Sequence, residues 1–495
     1  MDVLDRMMEE QEEHGAVTDE RLRVLSKELR IPLYRLEGLR GFYPVFRAQP
    51  GPKYQVHVCR DISCAMRGGA DFCQKVTRAL EGKPGVEVHE VSCLGRCDSA
   101  PAATVNEIPV TGTVEEITAY ATGKKALPPN EPAKPNKWPT DPYANHGERY
   151  GVLKATLAAN TDAKRDEILA VLKASGLRGM GGAGFPTGMK WEFTRKAAGS
   201  PKYVVCNADE SEPGTFKDRM ILEELPHLTI EAMILGGWMI GANTGVIYLR
   251  HEYSREKKAL QRALLEARTA GALGKNLYGS GFDFDLRIFV SPGGYIMGEE
   301  TALLEALEDK RGEPRNKPPF PTNHGLWGKP TLMNNVETFA AIPIILKNGA
   351  EWWGKQGVGE YKGLKYLSVS GDVAKPGVYC VPMGTSINKL LELCGGTPGK
   401  KKLYAFMPGG ASSNFLPADK AEVALDFQAL QKAGSMLGSG AVIFVAEGRN
   451  LVELGANVLQ FFRNESCGKC VPCRVGVTRR RSSWSRPWTA PRRRG

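Results

Sequence analysis

The residues best suited to chemistry lie in a glycine-rich stretch, residues 176–193, which contains six glycines, one lysine and three aromatic residues. Because glycine has no Cβ, its backbone amides can come close to a flat ligand that carries phosphate. Gly179, Gly181 and Gly184 have the G-x-G-x-x-G spacing, but a Rossmann fingerprint follows a strand, and residues 166–177 are apolar at helical spacing. A flexible linker would interleave glycine with serine, not with aromatic residues. The stretch therefore predicts a cofactor-binding loop that is not a standard Rossmann motif.

A second group of residues with chemical potential is a set of four cysteines near the N-terminus. Cys59 and Cys64 are separated by four residues, and Cys93 and Cys97 by three. Two pairs of thiolates from separate loops can ligate a [2Fe–2S] cluster, in which all four iron–thiolate positions are filled. A four-cysteine zinc site is the alternative, but zinc ribbons favour two-residue gaps. The spacing therefore favours iron and sulfide.

Three further cysteines, Cys467, Cys470 and Cys473, have the C-x2-C-x2-C spacing of a [4Fe–4S] site. They follow a periodic helix predicted over residues 451–463. The cluster needs a fourth ligand, and no cysteine follows Cys473. The other four cysteines have no ligand spacing and are expected to be buried small apolar residues. They are Cys73, Cys206, Cys380 and Cys394.

Length and composition indicate a multidomain cytoplasmic protein. The chain has 495 residues, 42% of them hydrophobic and 24% charged, and no apolar run approaches the roughly 20 residues that cross a bilayer. The net charge of +11 is concentrated at the C-terminus, because residues 478–495 hold seven arginines and no acidic residue. The rest of the chain carries 59 basic and 55 acidic residues, a net charge of +4. We therefore expect neither nucleic-acid binding nor direct insertion into a membrane.

The elements that must position these groups follow from apolar periodicity. Strands are expected at residues 54–59, 86–91 and 102–105, with a helix at residues 69–80, so that the first four cysteines lie at loop ends. Before them, Thr18 is a predicted N-cap in a helical segment that we expect to serve packing.

In the central part of the chain a buried strand is expected at residues 203–207, and its C-terminal end carries Asn207, Asp209, Glu210 and Glu212. Such groups can accept hydrogen bonds from ribityl or ribose hydroxyls at the end of a strand. A solvated acidic loop is the alternative. Further predicted strands and a helix follow at residues 244–250, 286–290 and 254–270.

Five ordered motifs resemble a known family. They are the glycine-rich stretch, residues 207–214 (NADESEPG), 294–303 (GYIMGEETAL), 317–321 (KPPFP) and 334–338 (NNVET). Together they resemble the flavin-carrying, NADH-oxidising subunit of respiratory complex I and its relatives in NAD-reducing hydrogenases and NAD-dependent formate dehydrogenases. The resemblance covers roughly residues 151–473. The first cysteine set resembles thioredoxin-like [2Fe–2S] ferredoxins, and residues 366–393 resemble the ubiquitin-like SLBB module that follows the flavin domain in this family.

The resemblance implies a set of site residues and their ligands, FMN and NAD(H). The FMN ligands would be Gly179, Gly181, Gly182, Gly184, Lys190, Asn207, Asp209, Glu210, Gly298, Glu299, Asn334 and Asn335. The NADH ligands would be Phe185, Phe193, Glu212, Tyr295, Glu300, Lys317 and Phe320. Among these, Glu212 and Glu300 are the candidates for catalytic roles. The types fit their ligands, since aromatic rings stack on adenine, lysine pairs with phosphate, and acids accept from ribose or carboxamide donors.

We therefore predict a multidomain α/β fold of six segments. They are a helical lead-in (1–48), a thioredoxin-like [2Fe–2S] domain (49–123), a linker (124–149), a Rossmann-like FMN and NADH domain (150–363), an SLBB module (364–448) and a helical [4Fe–4S] domain (449–495).

The predicted function is an NADH dehydrogenase (diaphorase) subunit that exchanges a hydride between NAD(H) and FMN and single electrons with iron–sulfur clusters. Its partners would be other electron-transfer and catalytic subunits of a soluble complex. The fusion of the ferredoxin-like domain to the flavin domain favours a formate dehydrogenase. The alternatives are an NAD-reducing hydrogenase, complex I and a non-catalytic scaffold that carries clusters.

The C-terminal segment, residues 478–495, has a different composition, with seven arginines and no Ile, Leu, Val or Glu. A basic disordered tail is one interpretation. We favour a shifted reading frame that replaced the family's C-terminus, and the [4Fe–4S] domain is then truncated and lacks its fourth ligand.

Overall fold

The computed structural model describes residues 3–132 and 136–484. The N-terminal part is a group of three helices: α1 (Val3–His14), α2 (Asp19–Leu29) and α3 (Leu33–Phe42). The predicted N-cap is confirmed, because the Thr18 side chain accepts a hydrogen bond from the backbone N–H of Arg21.

The next unit is a small α/β fold built on a four-stranded sheet. Its elements are β1 (Tyr54–Cys59), α4 (Ile62–Met66), α5 (Gly69–Leu80), β2 (Val86–Val91), β3 (Ala103–Val105), β4 (Ile108–Val110) and α6 (Val114–Ala121). The strand order is β2-β1-β3-β4, with β1 and β2 parallel and the other pairs antiparallel. The predicted bounds of β1, α5 and β2 are confirmed, whereas β4 and α6 were not predicted.

The central unit contains a parallel sheet of order β7-β6-β5-β8. Its strands are β5 (Tyr203–Ala208), β6 (Thr244–Leu249), β7 (Asp285–Val290) and β8 (Thr331–Asn335). The helices before β6 are α7 (Gly151–Ala159), α8 (Asp162–Ser175), α9 (Thr187–Lys196), α10 (Lys217–Glu224) and α11 (Pro226–Ile240). Those after β6 are α12 (Ser254–Thr269), α13 (Glu300–Leu307), α14 (Pro321–His324), α15 (Val336–Ala340), α16 (Ile342–Asn348) and α17 (Ala350–Gly354).

A helix, α8, precedes the glycine-rich stretch, which confirms that the stretch is not the strand-to-helix turn of a Rossmann motif. The chain runs from β5 to β6 and β7 on one side of the sheet and returns to β8 on the other side of β5. The strand order therefore reverses between β5 and β8, and ligands bind at such points in open parallel sheets.

The N-terminal helices cover one face of this central sheet. Leu22, Leu25 and Leu36 are buried in one cluster with Val246 of β6 and Phe289 of β7. The packing role expected for this segment is therefore confirmed, and its partner is a sheet more than 150 residues away in sequence.

The third sheet has the order β10-β9-β13-β11-β12, with β13 parallel to β9 and the other pairs antiparallel. Its elements are β9 (Leu364–Gly371), β10 (Gly377–Pro382), α18 (Ile387–Leu393), β11 (Leu403–Met407), β12 (Leu416–Pro417), α19 (Phe427–Lys432) and β13 (Ala441–Ala446). A hairpin whose first strand pairs in parallel with the last strand is the arrangement expected for the ubiquitin-like module.

The described chain ends in two helices, α20 (Leu451–Asn464) and α21 (Val471–Trp484). Helix α21 continues beyond Thr478, where the composition changes, and residues 485–495 of the proposed aberrant tail lie outside the described residues. Among the described helices we find none with the length and apolar character needed to cross a bilayer.

Candidate active site and metal centres

The first part of the glycine-rich stretch, residues 176–186, forms a closed loop between α8 and α9, and residues 187–193 are the start of α9. The backbone N–H of Gly179 donates to the Phe185 carbonyl at 2.9 Å, and that of Thr187 donates to the Leu177 carbonyl at 2.9 Å. A Cβ added to Gly181 would lie 2.9 Å from the Cβ of Asn335. Only glycine therefore lets this loop pack directly against the C-terminal end of β8.

A cavity of about 960 Å³ lies between this loop and the C-terminal ends of β5 and β8. Most of the site residues predicted from the sequence line it. They are Gly179, Gly181, Gly182, Gly184, Phe185, Lys190, Phe193, Asn207, Gly298, Glu299, Glu300, Lys317, Phe320, Asn334 and Asn335. The cavity is as large as the sites that hold cofactors in other proteins and lies where the strand order reverses.

The inner wall of the cavity carries one lysine and three asparagines. Lys190 donates from Nζ to the Met333 carbonyl at 3.0 Å, and burial lowers the pKa of Lys190. Asn207 donates to the Gly298 carbonyl at 2.8 Å, and Asn334 accepts from Trp191 at 3.2 Å. A half-buried cation among amide groups can bind the anionic or carbonyl groups of a ligand.

The mouth of the cavity is aromatic and charged. Phe185, Phe193 and Phe320 are 42%, 44% and 53% exposed, and the first two rings lie 6.3 Å apart between centroids. Beside them Lys317 pairs with Glu300, with 2.6 Å between Nζ and Oε1. Three exposed aromatic rings around one opening form a surface suited to stacking on a flat ligand.

Two predicted FMN ligands, Asp209 and Glu210, do not line the cavity. They belong to the loop of residues 209–216 between β5 and α10, which we call the acidic loop. Glu210 accepts hydrogen bonds from the backbone N–H groups of Asp218 at 2.9 Å and Arg219 at 3.0 Å, so it caps α10. Burial raises the pKa of both carboxyl groups to about 7. In the described structure these two acids therefore stabilise the acidic loop and do not line the cavity.

Glu212 and Tyr295 also lie outside the cavity lining, and they bond to each other. The Tyr295 hydroxyl donates to Oε2 of Glu212 at 2.7 Å, and the backbone N–H of Ser412 donates to Oε1 at 2.6 Å. The Tyr295 ring packs edge-on against Phe461 of α20 at 5.0 Å. Burial raises the pKa of Glu212 above its usual range. This pair therefore connects the central unit to the SLBB module and the C-terminal helices.

Sequence reasoning missed a buried group of charges beneath Asn335. Lys217 pairs with Asp218 at 2.6 Å and with Glu337 at 2.9 Å. Asn335 donates from Nδ2 to Asp218 at 2.6 Å, and Lys365 of the SLBB module pairs with Glu337 at 2.5 Å. Glu337 lies within the 334–338 motif. For Lys217 and Asp218, the available sequence signal was a charged Lys-Asp pair directly after the acidic loop.

The first four cysteines meet as predicted. Cys59, Cys64, Cys93 and Cys97 are all buried, and the Sγ atoms of Cys93 and Cys97 lie 3.5 Å apart. Backbone N–H groups point at the sulfurs, from Ala102 to Cys64 and from Gly95 to Cys93, both at 3.4 Å. Such N–H···S contacts suit thiolates that ligate metal.

The spread of these sulfurs favours a two-iron cluster over zinc. Among the described residues no three of the four thiols have their Sγ atoms all within 4.8 Å of one another. Tetrahedral zinc with bonds of about 2.3 Å would bring all four sulfurs to about 3.8 Å from each other. The donor set therefore fits [2Fe–2S], in which the two cysteine pairs bind different irons.

In the second cysteine set, Cys467 and Cys470 lie in the turn between α20 and α21, and Cys473 lies in the first turn of α21. Cys467 is half-buried, and Cys470 and Cys473 are exposed. The three thiols supply three ligands of a [4Fe–4S] cluster, and the sequence supplies no later cysteine. Of the four cysteines expected to be small core residues, Cys73, Cys206 and Cys394 are buried, and Cys380 is half-buried.

Comparison with protein families assigns a family to each unit. Residues 172–344 match the Nuo51 FMN-binding domain, residues 1–122 the thioredoxin-like [2Fe-2S] ferredoxin, residues 366–415 the SLBB domain, and residues 453–486 the NADH-ubiquinone oxidoreductase-F iron-sulfur binding region. The last match extends beyond residue 478, where the sequence composition changes.

Whole-chain comparisons agree. The F 2 subunit of the NADH-quinone oxidoreductase of Rhizobium meliloti (strain 1021) is 48% identical over 67% of this chain and 78% of its own length. The NAD-reducing hydrogenase HoxS subunit alpha of Cupriavidus necator is 36% identical over 96% of this chain and 81% of its own length. The chain belongs to the family of flavin-carrying NADH dehydrogenase subunits found in complex I and in NAD-reducing hydrogenase. A crystal structure of an NAD⁺-reducing [NiFe]-hydrogenase in the air-oxidized state aligns with a TM-score of 0.84 at 31% identity, over 97% of this chain and 84% of that one.

Membership of this family confirms the multidomain α/β fold and the cofactors FMN, [2Fe–2S] and [4Fe–4S], with NAD(H) as substrate. The chain is an oxidoreductase component of the NADH dehydrogenase class found in complex I and in NAD-reducing hydrogenase. The cavity fits FMN, because its wall of bare glycine backbone lies against the asparagines at the strand ends.

Removing one ligand of the buried set tests the [2Fe–2S] assignment. We expect Cys93→Ser to lose about two irons and two sulfides per chain and the matching electron paramagnetic resonance signal of the reduced cluster. Iron analysis and spectroscopy after anaerobic reconstitution measure both. Cys73→Ser is the matched control, since Cys73 is buried in the apolar core of the same unit and lies outside the group of four cysteines. Zinc in place of iron in the wild-type chain would refute the assignment.

Neutralising Glu212 tests the electrostatics of the flavin site. A carboxylate beside the flavin disfavours added negative charge on its ring, so Glu212→Gln is expected to raise the midpoint potential of bound FMN. The expected shift is a few tens of millivolts, because a two-electron potential changes by about 30 mV for each 1.4 kcal/mol. Spectroelectrochemical titration measures it. Glu351→Gln, at an exposed site, is the control, and an unchanged potential in Glu212→Gln contradicts the role.

Proposed function

We propose that the cavity between the glycine-rich loop and the ends of β5 and β8 holds FMN and NAD(H), and that the chain exchanges a hydride between them. The cavity carries this proposal, because a single cavity of about 960 Å³ combines bare backbone, amide groups and exposed aromatic rings. FMN, when bound, supplies a site that takes a hydride from NADH and gives up electrons one at a time.

The inner wall is the part of the cavity that would hold FMN. Lys190, Asn207, Asn334 and Asn335 present one cation and three amide groups there. Asp209 and Glu210 would act indirectly, because Glu210 caps α10 and so fixes the start of the helix that carries Asp218. Glu299 caps α13 by accepting from two backbone N–H groups, which leaves its pair with Lys317 at 3.0 Å as a link to the mouth.

The mouth is the part that would hold NAD(H). Phe185, Phe193 and Phe320 offer rings for the adenine, and Lys317 and Glu300 offer a charged pair for ribose and phosphate groups. Of the two candidate catalytic acids, Glu300 lines the cavity and would contact the nucleotides, whereas Glu212 lies outside the lining and would act on the flavin through its charge. Holding the nicotinamide against the flavin is the main work of the chain, because correct orientation removes much of the barrier of a reaction between two molecules.

We propose a formate dehydrogenase as the complex in which the chain works, and an NAD-reducing hydrogenase is the second candidate. The fused ferredoxin-like unit supports both against complex I. The hydrogenase subunit alpha aligns with 96% of this chain, whereas the complex I subunits align with about two thirds of it. That coverage is the observation that favours the second candidate.

The diaphorase proposal predicts that the anaerobically purified chain, reconstituted with FMN, iron and sulfide, is bleached by NADH and reduces ferricyanide. NADPH serves as the parallel substrate. We expect Phe320→Ala to raise the KM for NADH about tenfold, because loss of one aromatic stack costs about 1.4 kcal/mol. Trp327→Ala is the control, since Trp327 is similarly exposed but outside the cavity lining. Bound FMN that NADH does not bleach would favour the non-catalytic scaffold.

The partner proposal predicts formate-dependent reduction of NAD⁺ by the complex that a tagged copy of the chain isolates from its native cells. The assay is absorbance at the NADH band with formate and, in parallel, with hydrogen. Reduction of NAD⁺ with hydrogen but not with formate would refute the formate dehydrogenase proposal and support the hydrogenase. An untagged strain processed identically is the control.

A further inference from the structure

The SLBB module clamps the acidic loop along its length. The backbone N–H of Phe216 donates to the Ser368 hydroxyl at 2.8 Å, and the hydroxyls of Thr215 and Ser439 lie 2.6 Å apart. The backbone N–H of Ala411 in turn donates to the Pro213 carbonyl at 3.3 Å. The SLBB module is thus bonded to the segment that carries Glu212.

Within that interface, one SLBB loop, residues 409–413, holds the Glu212 carboxylate. The Ser412 N–H donates to Oε1 of Glu212 at 2.6 Å. Gly410 has a φ of +88°, and a Cβ there would lie 2.9 Å from both Cγ and Oε1 of Glu212. Glycine at position 410 therefore lets the loop turn and leaves room for the carboxylate.

The same module also supports the opposite wall of the cavity. The Phe427 ring of α19 packs against Gly184, where an added Cβ would lie 2.8 Å from the ring, and the Arg178 guanidinium lies 5.6 Å from the ring centroid. Lys365 of β9 pairs with Glu337 in the buried charge group beneath Asn335. Three separate contacts thus connect the SLBB sheet with segments that surround the cavity.

We propose that the SLBB module is a positioning element of the flavin site, in which Gly410 and Ser412 set the place of the Glu212 carboxylate. The inference rests on the proposed function, because this carboxylate matters only if flavin reacts near it. The physical reason is that the electrostatic energy of two charges falls in inverse proportion to the distance between them. A carboxylate held in one position therefore has one fixed effect on the potential of the flavin. The Tyr295 hydroxyl, on the central unit, is the second donor that limits its movement.

The test is a double-mutant cycle in the full chain loaded with FMN, with the FMN midpoint potential as readout. Gly410→Ala places a methyl group against Glu212, and Gly434→Ala is the matched control, since Gly434 has a φ of +92° in the same module and an added Cβ there would meet nothing within 4 Å. We expect Gly410→Ala to shift the potential by at least half the shift of Glu212→Gln. In the Glu212→Gln background Gly410→Ala is expected to give no further shift. The control is expected to match the wild-type chain.

Two results overturn the proposal: an unchanged potential in Gly410→Ala, or the same shift with and without the Glu212 carboxylate. If Gly410→Ala does not retain FMN, Ser439→Ala decides, because it removes only the bond to Thr215 at the end of the acidic loop. A shift in the direction of the Glu212→Gln shift supports the positioning role, and no shift refutes it. A wild-type chain that NADH cannot bleach refutes the proposed function, whereas a bleached chain with an unaffected Gly410→Ala potential refutes only the role of the module.

Discussion

Arg250, at the end of β6, bonds to two segments that are far apart in sequence. Its guanidinium donates to the Glu210 carbonyl at 2.5 Å and to the Cys93 carbonyl, and its Nε pairs with Glu252 at 3.0 Å. An arginine that is 3% exposed would be costly to bury without such partners. The acidic loop and the cysteine loop of the ferredoxin-like unit are therefore fixed relative to each other by one buried cation.

The acidic loop and the start of α10 also contact the ferredoxin-like unit directly. The backbone of Gly214 bonds to the Cys97 thiol, and the Phe216 ring is fully buried among the four cluster cysteines. On α10, Arg219 pairs with Asp98 at 2.8 Å. One short segment after β5 thus borders the [2Fe–2S] site and the SLBB module, and it begins two residues after Asn207, which lines the cavity.

The N-terminal helices stabilise the central sheet by covering one of its faces. The N-terminal helices bury Leu22, Leu25 and Leu36 against β6 and β7, and Tyr43 donates to the Lys310 carbonyl. Parallel sheets need cover on both faces, because their strands are apolar on each side. The lead-in precedes the ferredoxin-like unit in sequence but completes the core of the central unit. The core of the central unit is therefore built from residues on both sides of the ferredoxin-like unit in sequence.

The sequence alone determined which chemistry the chain carries. Cysteine spacing is a local property of the sequence and predicted the [2Fe–2S] ligands, and apolar periodicity predicted β1, α5 and β2. Glycines and aromatic residues in one short stretch predicted the cofactor loop. Only the tertiary structure decided that Glu210 caps α10 instead of facing the cavity, that the lead-in covers the central sheet, and that Ser412 holds Glu212. The Ser412–Glu212 contact joins residues 200 positions apart, and such pairs depend on how several units pack together, which no local pattern encodes.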